Sequence, residues 1–142
     1  MIGFIKKLAA KIWAKNHVKQ TEYYKNNAEQ LQEKLLLDLV KSAEKTLFGL
    51  QHNFSEIKSI EKIKKNVKIS DYEDLKPFIE KVKHGDKNIL WKDTPEYFAK
   101  TSGTTSGTKY IPLTSEGMDY QVKAAQSALF HYIAQKNNAD FV

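Results

Sequence analysis

Thr101-Ser102-Gly103-Thr104-Thr105-Ser106-Gly107-Thr108 separates Glu96-Tyr97-Phe98-Ala99-Lys100 from Lys109-Tyr110-Ile111-Pro112-Leu113. Eight consecutive residues are Ser, Thr or Gly, and six of them carry hydroxyls. The flanks are strand-like, and Thr114 then stands as an N-cap for a helix to about Gln135 along Tyr120, Ala124, Leu129 and Tyr132. The local order read from this stretch is strand, hydroxyl-rich loop, short strand, helix. Glycines allow close approach and positive φ, so successive amide N–H groups can converge on one point. Hydroxyls add donors without negative charge, while Lys109 and Lys100 bring cations to the rim. These are the needs of a polyphosphate. A flexible Gly/Ser linker has a similar composition, but threonine is stiff and strand-favouring and the flanks are apolar.

The commonest phosphate and nucleophile motifs do not fit. A Walker loop needs four residues between its glycines and then Gly-Lys-Ser/Thr, whereas three separate Gly103 from Gly107 and Lys109 follows two later. The dinucleotide fingerprint fails for want of GxG and of a helix opening directly from the loop. The hydrolase elbow fails because Thr105, not serine, occupies the middle of the glycine window.

Working toward the N-terminus, Ser70-Asp71-Tyr72-Glu73 has capping-box spacing. Pro77 then suits the first position of a second helical segment, and Gly85 suits a left-handed C′ position after His84. Tyr72-Glu73-Asp74 reads as a dipole-complementing first turn rather than an acid–base cluster. A short helix is expected from Ser59 to about Asn66. From Thr21 to about Leu47 the apolar residues Leu31, Leu35, Leu36, Leu39, Val40 and Ala43 recur at helical spacing. Asp38 and Lys41 pair on the outer face, and Gly49 reads as a stop. His17, His52, His84 and His131 lie far apart in the chain with no metal-ligand spacing, so no metal site is assigned.

Residues 1–20 carry Lys6, Lys7, Lys11, Lys15 and Lys19 and no acid, so the remainder of this +6 chain is nearly neutral. Lysine interrupts every apolar run, which excludes a secretory signal. Three readings fit. The first is a basic amphipathic helix on an anionic membrane surface with Trp13 at the headgroups. The second is a transit peptide, against which stand the missing arginine and serine. The third, taken as the default, is a helix packing Phe4, Ile5, Leu8 and Ile12 inward with lysines in water. All 23 basic residues are lysines. Without the arginine fork, sequence-specific DNA reading is disfavoured. The body lacks a basic face, so nucleic acid is not an expected partner.

The 142 residues, 41% hydrophobic and 28% charged, suit one globular domain but are few for a whole enzyme. No stretch approaches the ~20 apolar residues of a membrane span. The absence of cysteine excludes disulfides and thiolate chemistry and suits a cytoplasmic protein.

Tyr97 through Pro112 resembles the ATP phosphate loop of the adenylate-forming superfamily, most closely that of the auxin-responsive amido synthetase (auxin-responsive promoter) family. The Thr-Ser-Gly opening, the Ser106 before Gly107, and Lys109-Tyr110-Ile111-Pro112 carry the likeness. Gln32-Glu33-Lys34-Leu35-Leu36, Phe48-Gly49 and Ile69 to Pro77 extend it over about residues 27–120. The resemblance implies an α/β fold in which residues 1–142 form the N-terminal part of a larger adenylate-forming domain. Within it, residues 1–20 would be a basic helix, 21–95 a helical region, and 96–142 the strand, phosphate loop, strand and helix. It implies Mg2+ and ATP, a carboxylic acid and an amino acid as substrates, and an acyl-adenylate followed by an amide. Thr101, Ser102, Gly103, Thr104, Thr105, Ser106 and Gly107 match the loop that holds the β- and γ-phosphates, and Lys109 matches its trailing cation. No residue matches a catalytic nucleophile or base, so the chain alone is expected to be inactive, with an incomplete core and exposed apolar patches. The alternatives are an acyl-CoA ligase, or a non-catalytic membrane-surface or interaction module using residues 1–20.

Overall fold

The computed structural model describes residues 2–102 and 107–140. These residues are mostly helical with one two-strand antiparallel hairpin. Helices α1 (Ile2–Asn26), α2 (Ala28–Ala43), α3 (Leu47–Gln51), α4 (Ile60–Asn66) and α5 (Tyr72–Lys83) precede strands β1 (Tyr97–Ser102) and β2 (Thr108–Leu113). Helix α6 (Ser115–Lys136) closes the order, and a 3₁₀ turn, Phe54–Glu56, follows α3. The chain divides into two compact units, Met1–Leu31 with Glu116–Val142, and Gln32–Ser115.

In the first unit α1 and α6 are antiparallel: Lys7 Nζ donates to Asp140 at 2.9 Å, and His17 Nε2 meets Ser127 Oγ at 2.7 Å. The seam between them is made of Ala10, Ala14, Ile133 and Ala139, with Phe130 and Ala134 against it. The default reading of α1 is corrected here. Phe4, Ile5, Leu8, Ile12 and Trp13 are exposed, and the alanines are buried instead. At about 100° per residue Ala10, Ala14, His17 and Thr21 share one stripe. Small side chains there let two helices approach closely, which the bulky opposite stripe would prevent. Tyr120, Leu129 and Tyr132 of α6 are likewise exposed. The histidines distant in sequence meet in part: the rings of His17 and His131 lie 5.6 Å apart, and Thr21 Oγ1 is 3.1 Å from His131 Nε2. Helix α1 also runs on through residue 20, and Asn27 barely interrupts it, since Leu31 N–H still donates to the Asn27 carbonyl at 3.0 Å.

The second unit has its own core of Val40, Ala43, Phe54 and Ile57, backed by Leu37, Phe48, Ile63, Val67 and Trp91. Gly49 is not the stop its sequence position indicated. Helix α2 already ends at Ala43, and Gly49 lies buried inside α3, where an added Cβ would stand 2.1 Å from the Ala43 carbonyl oxygen. Thr46 makes this turn: its buried hydroxyl donates to Ala43 O at 2.7 Å and accepts from Gly49 N–H at 3.0 Å. The first amides of α3, Leu47 and Phe48, donate to the carbonyls of Asn88 and Ile89. A helix end left with free donors is thereby satisfied by a distant loop.

Helix α4 starts at the N-cap Ser59 and ends at Asn66. For α5 the capping box is shifted by one residue from the expected Ser70/Glu73 pair. Asp71 accepts from Asp74 N–H and Asp74 accepts from Asp71 N–H, while Ser70 bonds to Lys68 O. Pro77 does not begin a second segment but sits inside one continuous helix that buries Ile79 and Val82. Only one amide bond is forgone there, and the buried face holds the turn together. Gly85 terminates α5 at φ +93°, its N–H donating to Val82 O. The helical stretch thus ends at Lys83, short of residue 95, and residues 86–96 form a loop closed by mutual bonds of Asn88 and Asp93. On α2 the acid–base pair is Lys34 with Asp38, not Asp38 with Lys41.

Candidate functional site

The hairpin pairs Tyr97 with Leu113, Phe98 with Pro112, Ala99 with Ile111, Lys100 with Tyr110, Thr101 with Lys109 and Ser102 with Thr108. Glu96 N–H adds a bond to Leu113 O. Directly paired residues of an antiparallel ladder project to the same face. Thr101 and Lys109 therefore share one side of the hairpin end, and Thr108 lies on the other. Gly107 leaves the turn at φ +80°, with open space where a side chain would stand. That backbone conformation favours glycine. Gly103, Thr104, Thr105 and Ser106, the tip of the candidate loop, lie outside the described residues, as does the side chain of Ser102.

One side of the hairpin is fixed by α5. Tyr110 N–H donates to Tyr72 Oη at 2.9 Å, and Lys109 Nζ lies 5.3 Å from the centre of the Tyr72 ring. Lys109 is half-buried. Its ammonium is held against an aromatic face, an attraction that restricts a long side chain. Further along α5, Lys83 Nζ sits 4.4 Å over the Tyr110 ring and binds both carboxylate oxygens of Glu80 at 2.8 and 2.9 Å. Hydrogen bonding to Lys83 holds the Glu80 carboxyl below its ordinary pKa, and the same bond raises that of Lys83. Lys76, bonded to Glu73 at 3.0 Å, is raised for the same reason. The group that α5 sets against the Tyr110 ring is thus a charged Lys83–Glu80 pair, neutral as a whole.

Sequence reasoning assigned Lys109 to this site but missed Tyr72, which it read only as part of a helix cap. Tyr72 and Tyr110 are 38 residues apart, and no local pattern marks their meeting. Lys100 lies exposed on β1 opposite Tyr110. Among the described residues no group of three or more His, Asp or Glu side chains gathers to hold a metal. No helix of the described residues is long and apolar enough to cross a membrane.

A mostly helical domain with one short hairpin, whose turn is rich in glycine and hydroxyls, is the class of module these features define. The model of the GH3 family N-terminal domain matches residues 17–140, most of the chain, and the chain belongs to the GH3 family. It is 31% identical over 103 residues to the 4-substituted benzoates–glutamate ligase GH3.12 of Arabidopsis thaliana, covering 71% of this chain and 18% of that protein. It is 38% identical over 61 residues to the indole-3-acetic acid–amido synthetase GH3.15 of the same plant, covering 42% of this chain and 10% of that one. The chain therefore spans less than a fifth of the length of either relative.

Proposed function

We propose that this chain is the triphosphate-gripping part of an ATP-dependent acyl acid–amido synthetase. The observation that carries the reading is the hairpin itself. In a GH3-family chain, Thr101 faces Lys109 at the end of a ladder whose turn is built from glycine and hydroxyl residues. One relative is a 4-substituted benzoates–glutamate ligase and the other an indole-3-acetic acid–amido synthetase, which supports the same reaction class here. Such a ladder end fits a polyphosphate: it offers backbone and hydroxyl donors, an open glycine, and a cation on the Thr101 side.

In the proposed reaction a carboxylate oxygen attacks the α-phosphorus of ATP, and the bond to the bridging oxygen of pyrophosphate breaks. An amino acid nitrogen then attacks the acyl carbon of the adenylate, AMP departs with the electron pair, and the amine proton is lost to water. Thr101, Ser102, Gly103, Thr104, Thr105, Ser106 and Gly107 would donate N–H and O–H bonds to the β- and γ-phosphates. Lys109, steadied by Tyr72, would oppose the charge that grows on pyrophosphate. Donors fixed before the reaction cost no reorganisation at the transition state. Magnesium, bound with the nucleotide, would offset part of the triphosphate charge, and no residue of this chain is assigned to it. Nor is any residue assigned to the acid or the amine.

Replacing Ser102→Ala and Thr105→Ala together should weaken ATP binding about a hundredfold or more, the combined loss of two hydrogen bonds to a charged group at about 1.5–3 kcal/mol each. Unchanged affinity would reject the assignment. The 142 residues alone should show no acid-dependent exchange of pyrophosphate into ATP. Comparing an amino acid, hydroxylamine and coenzyme A as acceptors in a ligation-competent protein separates amide formation from thioester formation.

A further inference from the structure

The seam between α1 and α6 uses only one side of α1, and the other side carries the unexplained feature. At 100° per residue, Phe4, Leu8, Ile12, Ile5, Ala9 and Trp13 span about half the circumference. Lys6, Lys7 and Lys11 fall on the other half, together with the alanines of the seam, while Lys15 and Lys19 lie beyond Trp13 along the helix on the azimuth of the arc itself. The large members of the apolar arc are open: Phe4 is 73% exposed, Trp13 65%, Ile5 59%, and Leu8 and Ile12 51% each. Trp13 also borders, with Ala9 and Leu129, a shallow apolar groove beside α6. A contiguous apolar arc marks a face that something covers, a further part of the protein or a separate surface, and the charge around it distinguishes the two.

We propose that the Phe4–Trp13 arc of α1 docks on an anionic lipid surface. Charge complementarity selects this occupant. Residues 1–20 hold five lysines and no acid, whereas the remainder of the chain is nearly neutral. Among the described residues Lys7 is ion-paired, with Asp140, while Lys6 and Lys15 are exposed and make no ion pair. Lysines beside an apolar arc can lay their stems along it and keep their ammonium groups at the headgroups. A second copy of the chain would instead set lysines against lysines. The family match begins at His17, so the arc lies outside the matched segment, whereas the hairpin lies within it.

The test uses the full chain with Trp91→Phe, which leaves Trp13 as the single tryptophan. It is mixed with vesicles of phosphatidylcholine alone or of phosphatidylcholine with phosphatidylserine. The chain should sediment with the mixed vesicles, shift Trp13 emission to the blue, and be released by salt. Leu8→Asp with Ile12→Asp should reduce partition at least about tenfold, with circular dichroism confirming that the helices persist. Each of Lys6→Gln, Lys11→Gln and Lys15→Gln, which leave the arc intact, should reduce it about fivefold. Failure to sediment with mixed vesicles, or partition indifferent to both sets of changes, would overturn the proposal. So would a blue shift that appears with protein concentration in lipid-free solution, which would assign the arc to a second copy.

Discussion

The two compact units solve the same problem with different means. Gln32–Ser115 builds a core from aromatic and branched residues, caps its helices with Thr46, Ser59 and Asp71, and anchors a hairpin on α5. The α1–α6 unit joins two long helices through alanines and Ile133, backed by Phe130, and leaves Phe4, Ile5, Leu8, Ile12, Trp13 and Leu129 in solvent. The contrast teaches that apolar content does not decide which face of a helix is buried. Size complementarity with the partner decides it, and the leftover apolar face becomes available for something else.

The largest effect should come from Gly49→Ala. A Cβ that close to the Ala43 carbonyl cannot be accommodated by rotating a side chain, so α3 must move away from α2. We expect a loss of about 3 kcal/mol, measured by thermal or urea unfolding followed at Trp91 in a Trp13→Phe background. A smaller effect sharpens the comparison within the α1–α6 unit. Ile133→Ala, at a position 1% exposed among small alanines, should cost about 2 kcal/mol, the low end for a buried Ile→Ala change, while Ile12→Ala on the outward face should cost under about 0.5 kcal/mol. Equal losses would mean that the outward stripe is buried after all.

Next in size, Asp71→Ala should cost about 1 kcal/mol through the lost cap of α5, and Ser70→Ala almost nothing. The reverse order would restore the frame read from the sequence. The smallest effect concerns Asp140, whose carboxyl is held below its ordinary pKa chiefly by the hydrogen bond from Lys7. A carboxyl lowered in the folded state stabilises fully above its unfolded pKa and loses that contribution as pH falls through the folded one. Acidification below the usual carboxylate range should slightly loosen the α1–α6 pair, and Asp140→Asn should remove that pH dependence. Amide exchange near Ala139 would report both.

Elements whose signals are local were legible in the chain. The hydroxyl and glycine run between strand-like flanks gave the hairpin, Ser59 the start of α4, and Gly85 the left-handed end of α5. Readings failed where the deciding contact is distant or where two registers compete. Gly49 looks like a stop because its close neighbour, the Ala43 carbonyl, is visible only once α2 has ended early. Pro77 looks like a helix start because the burial of Ile79 and Val82, which sustains the turn around it, is not a local property. Ser70 and Asp71 both offer an oxygen three residues before an acid, and one residue of phase separates them. The inward face of α1 depends on α6, more than a hundred residues away. Of the candidate site, the residue types could be named from the chain, but the support given by Tyr72 to β2 could not.

We propose the turn between β1 and β2 as the grip on the triphosphate of ATP. Amide resonances of the isotopically labelled chain, followed while ATP is added, test it most directly. The amides of Thr101 to Lys109 should shift together and saturate, pyrophosphate should compete, and adenosine should have little effect. Shifts confined to the lysine-rich start of α1, or an equal response to adenosine, would contradict it.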